Sequence, residues 1–454
     1  MRASRFHLMG IGGVGMCGIA EVLLGEGVEV SGCDLADNER TWRLAKLGAV
    51  IRRGHDPAHL EGVDALVVTA AVSSDDKELI AARGLGMPIV RRAEMLAELM
   101  RQRRGVAVAG THGKTTTTAI IGHLLTSIGA DPTVIVGGRV QDLDAHARVG
   151  EAPILVCEAD EFDRSFLELA PHLAVVTNLE AEHLDCYDSE DDLEAAFASF
   201  ANRASVFGSV ILCADDPGAW GLRHRLRRRF IGYGASPEAE MHLEIVTADV
   251  GGTRFAVSRS GRRLGEVSLP LPGAFNALNA LAAITVGLEL GFDFEDLAGA
   301  CASFRGVARR FEVLGERDGV TVVDDYAHHP TEIDAVLGAA RQAMPGRRLV
   351  VVFQPHLFSR TRDFADRFAV ALMGAEVAVV LPIYPAREQP IPGVSSELVV
   401  DEARRLGHPQ VIAGPLLDQA LAQIEGIVRP GDVLLTVGAG DVDRLAAAWL
   451  GGAS

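Results

Sequence analysis

The sequence predicts an α/β protein of three successive domains. Short apolar runs alternate with helix-length stretches along the chain, the pattern of parallel strands joined by helices. Two glycine-bearing turns between a strand and a helix, at 10–15 and 110–115, open two separate alternating blocks. The length of 454 residues suits about three domains, and 48% hydrophobic content can fill several cores.

In the first block, residues 1–102, Phe6–Met9, Val28–Ser31 and Ala65–Thr69 read as strands. Met1 to Leu24 has the basic start and apolar run of a signal peptide, but glycines at 10, 12, 13, 15 and 18 interrupt it and Glu21 follows. A strand, turn and helix fit better. The block ends at the basic patch 101–104. The second block, 103–306, opens with the strand Val106–Ala109, a loop over Gly110–Thr115 and a helix over Thr116–Ile128 closed by Gly129. Strands are expected at Ile154–Cys157, Leu173–Thr177 and Val210–Ala214. Between Met241 and Leu271 the pattern alternates, with turns at Gly251-Gly252 and Ser260-Gly261, which predicts added antiparallel hairpins. Asn276–Leu290 reads as a helix with Gly291 after it. The third block, 307–454, has strands at Leu349–Phe353, Val377–Leu381 and Val433–Val437. Its helix from Thr331 takes Asp334 as capping partner.

The formal charge of -18 and pI near 5.2 repel nucleic acid and anionic membrane surfaces, so neither is an expected partner. No run of 18 apolar residues predicts a membrane span. Anionic ligands would need local positive charge, metal ions or backbone N–H groups. Only Lys46, Lys77 and Lys114 among the 43 basic residues are lysines. Base composition explains the bias, but Lys114 survives it inside a glycine-bearing loop. The cysteines at 17, 33, 157, 186, 213 and 301 are scattered without a C-x-x-C pair, the pattern of buried thiols in a reducing, cytoplasmic compartment. Their spacing indicates neither a disulfide frame nor a zinc site.

Gly10, Gly12, Gly13 and Gly15 form G-x-G-x-x-G, and Asp34 follows about 20 residues on, at the end of the next strand. Such a Rossmann-like turn admits a diphosphate to a helix N-terminus and offers an acid to a ribose, in NAD or UDP alike. Gly110, Thr111, His112, Gly113, Lys114 and Thr115, followed by Thr116, form a phosphate-binding loop of P-loop ATPase type, with Val108 in place of its usual first glycine. Lys114 would reach the β- and γ-phosphates and Thr115 a magnesium ion. Glu158 ends a neighbouring strand, where Mg²⁺ is usually held. His183 follows a further strand; a lone histidine is more often structural than a ligand. Asp325, Tyr326 and His328 follow a strand of the third, again Rossmann-like, block, and Arg360 follows the next, where a planar fork could fix a carboxylate or phosphate.

Taken together, GIGGVGM, GTHGKTTTT, EADEFDRSFL, TNLEAEHLD, PGAFNALNALAAI, GVARRFEV, DDYAHHPTEI, FQPHLFSRTRDF and VGAGD resemble, in order and over nearly the whole chain, the Mur ligases, most closely their alanine-adding branch. The resemblance implies a UDP-sugar domain, a central ATPase domain and a C-terminal domain that closes with the amino acid. It implies ATP as co-substrate, two Mg²⁺ ions, and L-alanine added to UDP-N-acetylmuramate through an acyl phosphate in the building of peptidoglycan. By the same resemblance Glu158 holds the Mg²⁺ shared with ATP and His183 the second ion. Asn276 and Asn279 fall at the adenine end, and Arg310 and Asp325 near the nucleotide. Tyr326, His328 and Arg360 fall near the alanine pocket, with His328 a candidate for assisting the amine. Phe275, Leu357 and Glu182 depart from residues common in the family, histidine, arginine and aspartate respectively. Lysine is absent after Lys114, which excludes the carbamylated lysine of some relatives. Alternative readings are a ligase that returns a tripeptide to the same sugar, an NAD-dependent oxidoreductase, and a non-catalytic nucleotide-binding module. The sequence leaves the oligomeric state open.

Overall fold

Each glycine-bearing turn lies where a strand of a parallel sheet hands over to a helix. The computed structural model describes residues 4–141, 145–180, 186–386 and 388–451. The first sheet comprises β1 (Arg5–Met9), β2 (Glu29–Asp34), β3 (Val50–Arg53), β4 (Ala65–Val68) and β5 (Ile89–Arg91), in the order β3-β2-β1-β4-β5. Every pairing in it is parallel. The helices between are α1 (Val14–Gly25), α2 (Glu39–Lys46), α3 (Lys77–Gly84) and α4 (Arg92–Met100). Asn38 caps α2 by accepting from the N–H groups of Arg40 and Thr41, and Asp76 caps α3 through Glu78 and Leu79.

The second sheet is built from β6 (Arg104–Ala109), β7 (Thr133–Val140), β8 (Ala145–Arg148), β9 (Ile154–Glu158), β10 (Leu173–Val176), β11 (Ser209–Cys213), β12 (Phe230–Gly234), β13 (Met241–Asp249), β14 (Gly252–Arg259) and β15 (Arg262–Leu269). Its order is β15-β14-β13-β12-β11-β10-β6-β9-β7-β8. The helices are α5 (Lys114–Ser127), α6 (Glu190–Asn202), α7 (Pro217–Gly221), α8 (Ala274–Leu290) and α9 (Phe294–Cys301). Ser260 (φ 48°) and Gly261 (φ 78°) make the expected two-residue hairpin turn, both in the left-handed region such turns require. Helix α1 is apolar nearly all round, and Met16 to Leu23 are buried. It packs between the two sheets: a Cβ added at Gly18 would lie 2.9 Å from Ile135 Cγ2. The first sheet and most of the second therefore share one compact unit, residues 1–244, 256–267 and 278–305.

The other unit holds residues 245–255, 268–277 and 306–454. Its six strands are β16 (Glu312–Arg317), β17 (Val320–Asp325), β18 (Leu349–Phe353), β19 (Val377–Val380), β20 (Val411–Ala413) and β21 (Val433–Val437), in the order β16-β17-β21-β18-β19-β20. All pair in parallel except the edge strand β16. Helices α10 (Pro330–Ala343), α11 (Phe358–Leu372), α12 (Glu397–Arg405), α13 (Leu417–Glu425) and α14 (Asp443–Gly451) cover it. Val323, Val351 and Leu435 join one buried cluster, Val322, Val350 and Leu434 another, so both faces are sealed. The cap of α10 corrects the expectation. Pro330 takes the first helical position and Glu332, rather than Asp334, accepts from the N–H groups of His328 (2.9 Å) and His329 (3.2 Å). The helix starts one residue earlier than Thr331, which moves the capping carboxylate accordingly. Among the described residues no helix is long and apolar enough to cross a membrane.

Candidate active site

Strand β6 has β9 on one side and β10 on the other, the reversal of strand order at which open α/β sheets bind ligands. All three strands run parallel, so the loop after β6, Glu158 at the end of β9 and Thr177-Asn178 after β10 meet at one sheet edge. The loop is held from below. His112 N donates to Asn178 Oδ1 (2.7 Å), Thr177 Oγ1 donates to His112 O (2.6 Å), and Asn178 Nδ2 donates to the same carbonyl (3.0 Å). Gly110 has φ +140°, and an added Cβ would lie 2.0 Å from Thr177 Oγ1. Gly113, at φ +79°, closes the loop against Asn279.

Lys114 is the first residue of α5, two positions earlier than the predicted start. Its Nζ donates to Gly110 O (2.5 Å), Thr111 O (3.1 Å) and Glu161 Oε1 (2.9 Å). Burial by itself would lower its pKa, but the carboxylates of Glu161, Asp160 and Glu158 outweigh this and raise it, so the ammonium stays charged. Burial pushes the Glu161 carboxyl up to about 7, against the pull of Lys114 and with the help of Asp160. Glu158 accepts from Gly137 N at 2.5 Å. Thr115 and Thr116 stand in the first turn of α5, and Thr117 Oγ1 donates to Asn279 Oδ1 (3.1 Å). Asn276, one turn earlier on α8, donates to Pro272 O (2.8 Å). His183 lies outside the described residues.

The other glycine turn is a second polar edge of the same unit. Gly12 N donates to Asp34 Oδ2 (2.9 Å), so the acid at the end of β2 lies against the loop as expected. Gly10 carries φ +74°. The structure adds three residues that sequence reading passed over. Arg40 Nε donates to Gly12 O (2.5 Å), Asn38 Nδ2 approaches the same carbonyl (3.5 Å), and the Arg92 guanidinium sits 3.0 Å from where a Gly15 Cβ would be. Arg92 also lies 3.8 Å from Asp160 Oδ2. Its signal was available: it opens the helix that directly follows β5, at the same edge as Gly10 and Asp34. Glu161 was legible only as part of an acidic run.

In the other unit, Asp325 ends β17 and accepts from Phe311 N (2.6 Å) and Ala327 N (2.7 Å). Burial pushes its carboxyl up to about 7, against Arg310 and these two N–H groups. Arg310 lies over the Tyr326 ring at 5.3 Å and 3.8 Å from Glu332 Oε1. His328 Nδ1 donates to Tyr326 O (3.0 Å), and its ring meets those of Tyr326 and His356 edge to face. Arg309 fixes the strand ends: it donates to Asp324 (3.0 Å) and to the carbonyls of Gly440 (3.1 Å) and Gly438 (2.6 Å). Arg360 stands, half-buried, in the first turn of α11. Leu357, just before it, takes φ +70°, a conformation that costs a leucine about 1–3 kcal/mol.

Comparison with known proteins agrees with this arrangement along the whole chain. Residues 5–104 match the signature of the Mur ligase family catalytic domain, 108–287 the Mur ligase middle domain, and 309–440 the Mur ligase glutamate ligase domain. A UDP-N-acetylmuramate–L-alanine ligase of Desulfatibacillum aliphaticivorans is 45% identical over 98% of this chain and 97% of its own. One from Solidesulfovibrio magneticus is 47% identical over 99% and 98%. The crystal structure of a UDP-N-acetylmuramate–alanine ligase from Thermotoga maritima superposes with a TM-score of 0.81 at 30% identity, covering 98% of each chain. A murein peptide ligase from Psychrobacter arcticus shares the fold, with a TM-score of 0.70 at 24% identity over 99% and 98%. With three domain signatures in order and full-length relatives above 40% identity, the chain belongs to the Mur ligase family.

Proposed function

We propose that this enzyme joins L-alanine to the carboxylate of UDP-N-acetylmuramate at the expense of ATP, in peptidoglycan precursor synthesis. The observation that carries the reading is full-length likeness to ligases of that name, together with Lys114 at the N-terminus of α5. A carboxylate does not condense with an amine without activation. Transfer of the γ-phosphoryl group gives an acyl phosphate and ADP; the alanine amine attacks it and phosphate leaves. Such chemistry asks the protein for positioning and charge neutralisation.

The resemblance assigns the roles, and the contacts around Lys114, Glu158 and Asp34 support it. The 110–116 loop cradles the phosphates on backbone N–H groups, and Lys114 exchanges its Glu161 contact for phosphate oxygen. Glu158, Thr115 and His183 supply hard oxygen and imidazole donors for Mg²⁺; the carboxylate at the end of β9 beside the loop fits that ion. When bound, Mg²⁺ neutralises charge on the β- and γ-phosphates. Asn276, Asn279, Arg310 and Asp325 serve the nucleotide. Gly10, Gly12, Gly13, Gly15 and Asp34 take the UDP moiety, with Arg92 as a cation for its diphosphate. Tyr326, His328 and Arg360 serve the amino acid, His328 accepting the amine proton. The domains divide at 102 and 306, one for each sheet, and the enzyme works in the cytoplasm.

ADP release, followed with UDP-N-acetylmuramate and a panel of L-alanine, glycine, L-serine and the tripeptide, tests the assignment. L-alanine gives the highest kcat/KM; preference for the tripeptide overturns it. Glu158→Ala raises the Mg²⁺ concentration for half-maximal rate at least about 10-fold, by analogy with lost metal-supporting groups. An unchanged Mg²⁺ titration removes Glu158 from the metal.

A further inference from the structure

Away from both glycine turns, four donors converge inside the first sheet's unit. His7 comes from β1, Cys33 from β2, His59 from the short turn Pro57–Leu60, and Glu78 from α3. One ligand atom of each lies within 4.8 Å of every other. The side chains of His7 and Glu78 have no exposed surface, that of His59 13%, and Cys33 is fully buried. His7 Nε2 is 2.9 Å from Glu78 Oε1, His59 Nδ1 is 3.5 Å from Glu78 Oε2, and Cys33 Sγ is 3.4 Å from the same oxygen.

Two features separate this cluster from an ordinary buried ion pair. His7 Nε2, His59 Nδ1 and Glu78 Oε1 have no hydrogen-bond partner among the described residues, despite those short separations. Buried polar atoms left unsatisfied so close together offer lone pairs to a cation. In addition, His7 Nδ1 is held by Ser31 Oγ (2.8 Å), whose own hydroxyl donates to Phe6 O (3.4 Å). The hydroxyl is thus left to accept from Nδ1–H, which turns the Nε2 lone pair toward the carboxylate. This is how metal-bound histidines are oriented.

We propose that these four side chains form a structural site for a zinc-type dication. Two imidazole nitrogens, a sulfur and a carboxylate oxygen are a donor set that favours Zn²⁺ over Mg²⁺ or Ca²⁺. Tetrahedral zinc bond lengths place ligand atoms roughly 3.3–3.7 Å apart; here the His59 and Cys33 atoms lie 3.5 and 3.4 Å from Glu78, that of His7 2.9 Å, and no two of the four are more than 4.8 Å apart. Binding displaces the Cys33 thiol proton to solvent. A cleft of about 550 Å³, lined by His7, Ser31 and His59, gives the ion a way in. The bound ion would tie β1, β2, the 57–60 turn and α3 together. The cysteine pattern gave no hint of this because each donor comes from a different element.

The test uses the full chain, stripped with a chelator and titrated with Co²⁺ as a spectroscopic probe. One Co²⁺ per chain binds, with a thiolate-to-cobalt charge-transfer band and strong tetrahedral visible bands, and Zn²⁺ displaces it. Cys33→Ser loses the charge-transfer band while retaining its circular dichroism and Mg²⁺-dependent turnover. Ser31→Ala weakens binding about 10-fold. Absence of the charge-transfer band in the wild-type chain leaves a buried imidazolium–carboxylate pair and overturns the site. Its persistence in Cys33→Ser assigns the thiolate to another cysteine and overturns it equally.

Discussion

Lys114→Ala lowers ATP-dependent product formation by roughly 10²–10³-fold or more, the range for loss of one preorganised charge-stabilising donor, and leaves UDP-sugar binding unchanged. The ammonium is the charged donor of its loop, and three oxygens already fix it there: Gly110 O, Thr111 O and Glu161 Oε1. The glycine turn at 10–15 belongs to a different sheet and is held by its own contacts with Asp34 and Arg40. Coupled ADP release and calorimetric titration with UDP-N-acetylmuramate read the two effects separately. The variant also removes a cation from the buried Glu161 carboxyl, whose pKa of about 7 then rises further, so that it takes up a proton at neutral pH. A double variant with Glu161→Gln recovers whatever stability this costs and stays inactive. Near-normal turnover in either variant would remove Lys114 from the chemistry.

Gly110→Ala destroys nucleotide binding and destabilises the chain by on the order of 3–5 kcal/mol, combining backbone strain with overpacking. An added Cβ would meet Thr177 Oγ1 at 2.0 Å and Asn178 N at 3.1 Å, on a backbone at φ +140°. The neighbours cannot yield cheaply, because Thr177 and Asn178 also hold His112. Gly129→Ala is the matched comparison. It has φ +80° but nothing within 4 Å of the added Cβ, so only the left-handed backbone cost of about 1–2 kcal/mol applies. Urea unfolding and nucleotide titration of the two variants check the contrast. Equal destabilisation by both would mean that the Thr177 contact does not shape the loop.

Most strands were legible because burial on both faces leaves continuous apolar runs: Leu349–Phe353 and Val433–Val437 fall where their composition puts them. Helix starts were less legible. Lys114 and Ala274 begin α5 and α8 two residues before the apolar periodicity does, because a helix's first turn contributes N–H groups rather than core packing. The same reason moved the cap of α10 from Asp334 to Glu332.

The sequence determined the chemistry that lies within a few consecutive residues. A lysine after a glycine turn, an acid at a strand end and a second glycine turn are local patterns, and the order of segments specifies the family. Only the tertiary structure decided which distant residues meet. Glu161 reaches Lys114 across a gap of 47 positions, Arg92 reaches Gly15 from another helix, and His7, Cys33, His59 and Glu78 gather from four elements. Parallel strands explain why: each crossover returns the chain to the same edge of its sheet, so residues far apart in sequence become neighbours at strand ends and beneath them.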